Sequence, residues 1–186
     1  MFNQLSNSFV IAEIGVNHEG SIETAFKQID LAKKGGASAV KFQTYKANKL
    51  ASKNSPSYWD LKKESTKSQF KLFKKYDSFD KEDYLKLSKY CKQKKIHFSS
   101  TPFDVDCLPW LAPLMPFIKI ASADLTNDIL LEECLRYNKP ILLSTGASKL
   151  EEINRAVDIL KKAPELVLLH CVLNYPTKPE NGFLER

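Results

Sequence analysis

Six short apolar runs, separated by segments of helical periodicity, restrict this chain to a parallel α/β architecture. The runs occupy residues 9–15, 39–44, 97–101, 117–122, 141–145 and 166–171. Each finishes in polar or charged side chains: Glu13; Lys41 with Gln43; Ser100 with Thr101; Lys119 with Ser122; Ser144 with Thr145; and His170. Strands that alternate with helices pair in parallel. Parallel sheets carry their chemistry where the strands end. Six polar ends in the same register therefore point to one active-site face.

The helical segments carry their own start and stop signals. Ser21 is a good N-cap, and Ile22, Ala25, Phe26, Ile29 and Ala32 recur at helical spacing before Gly35-Gly36 ends the run. Further helices are expected near residues 81–94, 127–137 and 149–161. Pro109, Pro113 and Pro116 limit any helix before the fourth strand to a short one. Residues 45–80 do not fit a short connection. They are rich in lysine and carry Tyr58, Trp59, Phe70, Phe73 and Tyr76, which reads as an irregular, substrate-covering excursion.

Six strand–helix steps in 186 residues average about thirty residues each, the density of a (β/α)₈ barrel. The expected fold is α/β, of TIM-barrel type, with about six of the eight units in this chain. An open doubly wound sheet is the alternative, weakened by the absence of a glycine-rich phosphate loop. One domain accommodates the whole chain.

Composition narrows the function classes. Apolar residues at 43% and charged residues at 27% are ordinary for a globular protein. No apolar stretch is long enough to span a bilayer, and residues 1–8 lack a signal-peptide pattern, so no membrane partner and a cytoplasmic location are expected. The net charge of +6 comes almost wholly from lysine, the arginines being Arg136, Arg155 and Arg186. Nucleic-acid readers usually present arginine forks and aromatics on one face. Scattered lysines suit a solvated surface, and no nucleic-acid partner is expected. Cys91, Cys107, Cys134 and Cys171 show no Cys-x-x-Cys spacing and read as reduced, packed thiols with no zinc site.

Lys41 and Lys119 are the sharpest chemical signals. Each sits within an apolar strand, at Val-Lys-Phe and Ile-Lys-Ile, and lysine is rarely buried uncompensated. From neighbouring units of a barrel both would point at one polyanion. Gln43 shares the face of Lys41 by strand alternation. Glu13 is either an ion-pair partner of a lysine or a catalytic carboxylate. Ser99, Ser100, Thr101, Ser122, Ser144 and Thr145 add strand-end hydroxyls, which together with the lysines suggest an anion cradle. His18 reads as a satisfied loop histidine, His170 as packed, and His97 as chemically idle.

The run Ile-Ala-Glu-Ile-Gly-Val-Asn-His-Glu-Gly at residues 11–20 resembles the opening motif of sialic acid synthases. So do Val-Lys-Phe-Gln-Thr (40–44), Ser-Thr-Pro-Phe (100–103), Ile-Lys-Ile-Ala-Ser-Ala-Asp (118–124), Leu-Ser-Thr-Gly (143–146) and His-Cys…Tyr-Pro-Thr (170–177). The resemblance covers nearly the whole chain, in order.

That resemblance implies condensation of phosphoenolpyruvate (PEP) with an N-acetylated hexose to give a sialic-type acid and phosphate. The sugar is N-acetylmannosamine, or a diacetamido sugar leading to legionaminic or pseudaminic acid. A related PEP-condensing enzyme and a non-catalytic, anion-binding remnant of the family are the competing readings. The family fold is a (β/α)₈ barrel followed by an antifreeze-like domain that reaches its partner's active site in a homodimer. A divalent metal, manganese or magnesium, activates the sugar aldehyde. By the same resemblance Lys41, Thr101, Lys119, Ser122 and Ser144 hold PEP, and Gln43 and Tyr175 lie near the sugar. Glu13 and Asp124 are the acidic residues of the reacting centre, with Glu13, Lys41, Lys119 and Asp124 as the catalytic set.

Two departures accompany it. Val172-Leu173-Asn174 stands where many members have Thr-Asn-x or Thr-Ser-Ala, so Asn174 receives no role. The family's two metal-binding histidines, the last two strands and the antifreeze-like domain would lie past Arg186, and no metal ligand is assigned within this chain. Read this way, residues 1–186 are the first three-quarters of a barrel domain. Alone they are expected to be inactive and poorly soluble, because an unclosed barrel leaves strand edges unpaired.

Overall fold

The computed structural model describes residues 1–4 and 6–184. Among the described residues six strands occupy the six apolar runs: β1 (Ile11–Gly15), β2 (Ala39–Thr44), β3 (His97–Pro102), β4 (Ile118–Ile120), β5 (Ile141–Ser144) and β6 (Leu166–Leu169). Every ladder is parallel, in the orders β1-β2-β3 and β4-β5-β6. β3 also lies beside β4, without a ladder between them. The order never reverses, so the wall winds in one direction, as in barrels and unlike a doubly wound sheet.

Helices α1 (Ile22–Lys34), α4 (Lys81–Lys94), α6 (Asp128–Leu135) and α7 (Leu150–Leu160) make the crossovers. Their boundaries follow local chemistry. Ser21 accepts from the Thr24 N–H at 3.1 Å, which starts α1. Asp80 and Asp83 form a reciprocal capping box that starts α4. The proline-rich segment yields the one-turn α5 (Leu108–Leu111), flanked by 3-10 turns at Val105–Cys107 and Ala112–Leu114.

The two faces of the wall have different cores. On the outer face Val40, Phe42, Phe98, Ile118, Ile120, Ile141 and Leu143 pack against Ala25, Ile29, Leu87, Leu130, Ala156 and Leu160 of the helices. On the inner face Ala39, Phe117 and Leu142 form a second cluster with Phe2, Phe9, Ile11, Val167 and Leu169. Residues from β1 and β2 can meet residues from β5 and β6 on one face only if the wall curves. The N-terminal segment fills the bottom of this hollow. Phe2 and Phe9 pack edge-on to each other at 5.2 Å, and each packs against Phe117. The N–H groups of Phe2 and Asn3 donate to the carboxylate of Glu165, at 2.9 and 2.6 Å.

Residues 45–80 differ from the irregular excursion expected. They contain α2 (Ala47–Leu50) and α3 (Gln69–Tyr76), and an antiparallel bridge joins Pro56 to Ser68. Trp59 closes the tip by donating its indole N–H to the carbonyls of Glu64 and Thr66, both at 3.0 Å. Residues that read as loop are thus held by their own backbone acceptors, a device that periodicity does not display. The foot is pinned by the buried Asp77, which accepts from the Lys46 ammonium at 2.9 Å and from the Ala47 N–H at 3.0 Å.

Asp77→Ala leaves the Ala47 N–H without its acceptor and takes the ion-pair partner from Lys46, which keeps the Phe79 carbonyl. It should destabilise the chain by about 1–3 kcal/mol, the usual cost of an unmade buried hydrogen bond. Chemical denaturation measures the loss, and limited proteolysis should then cut first within residues 45–80.

Candidate active site

The inner face changes character along the strands, from the apolar floor to a polar layer nearer the C-terminal ends. Lys41 and Ser99 are direct register partners, as are Gln43 and Thr101, so all four share the inner face of β2 and β3. On β4, Lys119 follows the floor residue Phe117 by two positions and faces the same way. Both ammonium groups are therefore inside the hollow.

Each lysine is held by specific oxygens. Lys41 lies 2.7 Å from a Glu13 carboxylate oxygen and donates to the Thr101 hydroxyl at 2.9 Å. Lys119 is 8% exposed and donates to the Ser144 hydroxyl at 2.5 Å and to its neighbour's carbonyl, Ile120 O, at 2.8 Å. Burial lowers the Lys119 ammonium from 10.5 to about 8, and the positive charge of Lys41 adds to the shift. Cys171, Glu13 and Asp124 oppose it. Two cations close enough to feel each other, in a hollow of limited polarity, make a site that gains by taking an anion.

Glu13 keeps nearly half of its side chain exposed, so one end of the carboxylate binds Lys41 while the other meets the opening. A bulge between Glu13 and Gly15 turns the strand end at this point. Gly15 adopts φ +58°, and a Cβ there would lie 3.3 Å from the Glu13 carboxylate and 3.7 Å from the Gln43 amide. Glycine thus lets Glu13 and Gln43 flank one another at the rim.

Asp124 caps the far side of the site in a short 3-10 turn, Ser122–Asp124, that follows β4. One carboxylate oxygen faces Asn127 Nδ2 at 3.5 Å, and the other is buried without a partner. Burial raises the Asp124 carboxyl above the usual range, against the pull of Asn127 and Lys119. The Ser122 hydroxyl accepts from the Gly146 N–H at 3.0 Å, which ties the β4 and β5 ends together. Tyr175 is 85% exposed at the mouth, within electrostatic range of Cys171, Glu13 and Tyr58.

Not every strand-end hydroxyl belongs to this face. Ser100 points to the helix side and shares a hydrogen bond with Thr44 at 2.7 Å. Thr145 spends its hydroxyl on the Leu169 carbonyl at 2.9 Å. Both therefore leave the cradle, because alternation on β3 and a strand-end turn on β5 aim them elsewhere. His170 is exposed rather than packed, its Nε2 2.7 Å from the Gly182 carbonyl oxygen. His18 is the buried loop histidine expected: Gly20 N–H donates to its Nδ1 at 3.1 Å and its ring stacks on Phe79 at 3.9 Å. Cys91, Cys107 and Cys134 are buried free thiols, and Cys171 is half-buried beside the site.

Gly146 is a site residue that the sequence reading left without a role. A Cβ at this position would meet the Ser122 hydroxyl at 3.0 Å, the Leu173 N at 3.2 Å and Cys171 Cβ at 3.3 Å. The signal was present as a glycine directly after the Ser-Thr strand end. Among the described residues no group of three or more His, Cys, Asp or Glu could hold a metal ion.

An inward-facing lysine pair on a parallel α/β wall is a candidate anion site, and comparison with known proteins gives the chain a family. A model of the NeuB family matches residues 28–186. The chain belongs to that family. It is 37% identical over 183 residues to N-acetylneuraminate-9-phosphate synthase of Drosophila melanogaster, covering 95% of this chain and 48% of the relative. It is 36% identical over 177 residues to N,N'-diacetyllegionaminic acid synthase of Legionella pneumophila, covering 90% and 49%. The chain thus spans about half the length of the curated relatives it matches. Among solved structures, N-acetylneuraminic acid synthetase of Leptospira borgpetersenii superposes with a TM-score of 0.83 at 34% identity, over 97% of this chain and 62% of that one. A truncated 3-deoxy-D-arabino-heptulosonate 7-phosphate synthase of Thermotoga maritima, 16% identical with a TM-score of 0.63 over 91% and 54%, shares the fold alone.

Gly146→Ala should push the Ser122 hydroxyl out of place at an overpacking cost of about 1–3 kcal/mol. Thermal denaturation should register the loss. A crystal structure of the variant should show the Gly146–Ser122 hydrogen bond lengthened or broken.

Proposed function

We propose that this chain supplies the PEP-binding part of a synthase that condenses PEP with an N-acylated hexose, releasing phosphate and a sialic-type keto acid. The six strands are then six of the eight units of a (β/α)₈ barrel. The observation that carries the reading is the lysine pair: two inward ammonium groups on β2 and β4, each already holding a hydroxyl that can also meet an anion. PEP offers a phosphate and a carboxylate on adjacent groups, the charge distribution such a pair suits. The Leptospira relative was solved in complex with citrate, another small polyanion, which agrees with this reading.

In the proposed reaction Lys41 with Thr101, and Lys119 with Ser144 and Ser122, hold the two anionic ends of PEP. C3 of PEP attacks the sugar aldehyde carbon, and the aldehyde oxygen gains a proton. The cation left at C2 takes water, which loses a proton. The C2–O bond to phosphate then breaks as the new C2 hydroxyl gives up its proton to the departing phosphate, releasing phosphate and leaving the keto acid. Glu13 orients the attacking water or a sugar hydroxyl from the rim, and Asp124 closes the opposite side. Gln43 and Tyr175 line the approach of the sugar. A divalent ion, manganese or magnesium, is proposed for the complete enzyme, with ligands outside the described residues. The complete enzyme is proposed to act as a homodimer. No helix among the described residues is long and apolar enough to cross a membrane.

Isothermal titration with PEP tests the reading. Lys41→Met and Lys119→Met should each weaken binding by about ten- to a hundredfold, the value of a hydrogen bond to a charged group. Unchanged affinity in both would remove the anion site. Phosphate release from PEP with N-acetylmannosamine or a diacetamido hexose, measured on the complete enzyme, then tests the reaction.

The pH dependence follows from Lys119. Its ammonium is charged below about pH 8 and loses its proton above that value in the free protein. PEP affinity should therefore fall as pH rises through 8, and Lys119→Met should flatten that fall. Stability moves the other way. An unfolded lysine stays charged up to its ordinary value of 10.5, so between about 8 and 10.5 the unfolded state binds more protons and Lys119's contribution to stability rises with pH. Denaturant melts across that window, with and without Lys119→Met, check the sign.

A further inference from the structure

Ser99 is on the strand between the two that carry the lysines, and its hydroxyl has no partner of its own. β3 stands between β2 and β4, and Ser99 is on its inner face, in direct register with Lys41. It is fully buried, at 0% exposure, and its hydroxyl makes no hydrogen bond. Its neighbour Ser100 faces outward and is satisfied by Thr44, so the two adjacent serines are not equivalent. A buried hydroxyl with nothing to bond is unusual and calls for a partner.

The partners at hand are the lysines. An ammonium group has three N–H donors. Lys41 directs them at Glu13 and Thr101, and Lys119 at Ser144 and the Ile120 carbonyl. Each lysine therefore has one donor beyond these contacts. Below the layer the side chains of Ala39, Phe117 and Leu142 are apolar, and the imidazole of His97, two residues before Ser99 on the same face of β3, stacks on Phe9. The unpartnered hydroxyl and the remaining donors thus belong to the same polar layer, above that floor.

We propose that Ser99 anchors a bound water molecule between Lys41 and Lys119, and that this water forms part of the floor of the anion site. Rested on the PEP reading above, the water accepts from an ammonium group, bonds the Ser99 hydroxyl, and donates a proton upward to an oxygen of the bound anion. Ser99 is then a positioning residue. It sets one contact to the anion through the water, without touching the anion.

The proposal predicts the sign of two measurements. If the hydroxyl is only an orphan, Ser99→Ala removes a buried unsatisfied group; the melting temperature should rise and PEP affinity should not change. If Ser99 holds the water, Ser99→Ala should lower the melting temperature. It should also weaken PEP binding about five- to tenfold, the loss of one modest hydrogen bond. Ser99→Thr keeps the hydroxyl and should retain most of the affinity.

The experiment is differential scanning fluorimetry and titration with PEP on the wild-type chain, Ser99→Ala and Ser99→Thr. Lower values of both quantities in the alanine variant, with affinity rescued by threonine, support the proposal. A raised melting temperature overturns it. A lowered melting temperature with unchanged affinity overturns the water's part in the anion site. If the wild-type chain does not bind PEP, the functional reading fails by itself. The melting temperatures still decide whether Ser99 holds a water, and a crystal structure resolving ordered waters checks its position.

Discussion

Two ammonium groups on one face of a sheet govern the rest of this molecule. A lysine inside a protein must either find oxygen ligands or give up its proton. Here Lys41 takes a carboxylate and a hydroxyl, while Lys119 takes a hydroxyl and a carbonyl and is pushed down towards neutrality. The ligands come from four strands, β1, β3, β4 and β5, so the polar layer also records how the strands are registered. Displacing β1, β3 or β5 by one residue would turn Glu13, Thr101 or Ser144 away from its lysine.

Much of this was legible in the sequence because parallel strands buried on both faces read as apolar runs, and a lysine within such a run has few explanations. The strand–helix alternation and the inward lysines both follow from local patterns. β1, β4, β5 and β6 are shorter than the apolar runs that announced them. The difference has local causes: Phe9 leaves the wall to pack into the floor, and Ser122 begins a 3-10 turn. Hydrophobicity counts such residues as strand because they are buried or flank buried residues, whatever their backbone does.

What was not legible depends on contacts distant in sequence. Ser99 and Ser100 look alike in the chain, and only the pairing of β3 with β2 shows that one faces the lysines and the other Thr44. The order within residues 45–80 rests on Trp59 and Asp77 reaching backbone groups, which carries no periodic signature. The role of Gly146 comes from a close approach by two other segments, and no residue beside it in the chain announces that.

The floor of the hollow has a consequence for how the chain is made. It is built from Phe2 and Phe9, at the start of the sequence, yet the backbone beside Phe2 is fastened to Glu165, which comes just before the sixth strand. On the ribosome the first residues must therefore wait for nearly the whole described chain to emerge before they can dock. The lysine layer above them acquires its dry underside only at that late moment, so a nascent chain that has formed its early strands still lacks the environment that tunes Lys119.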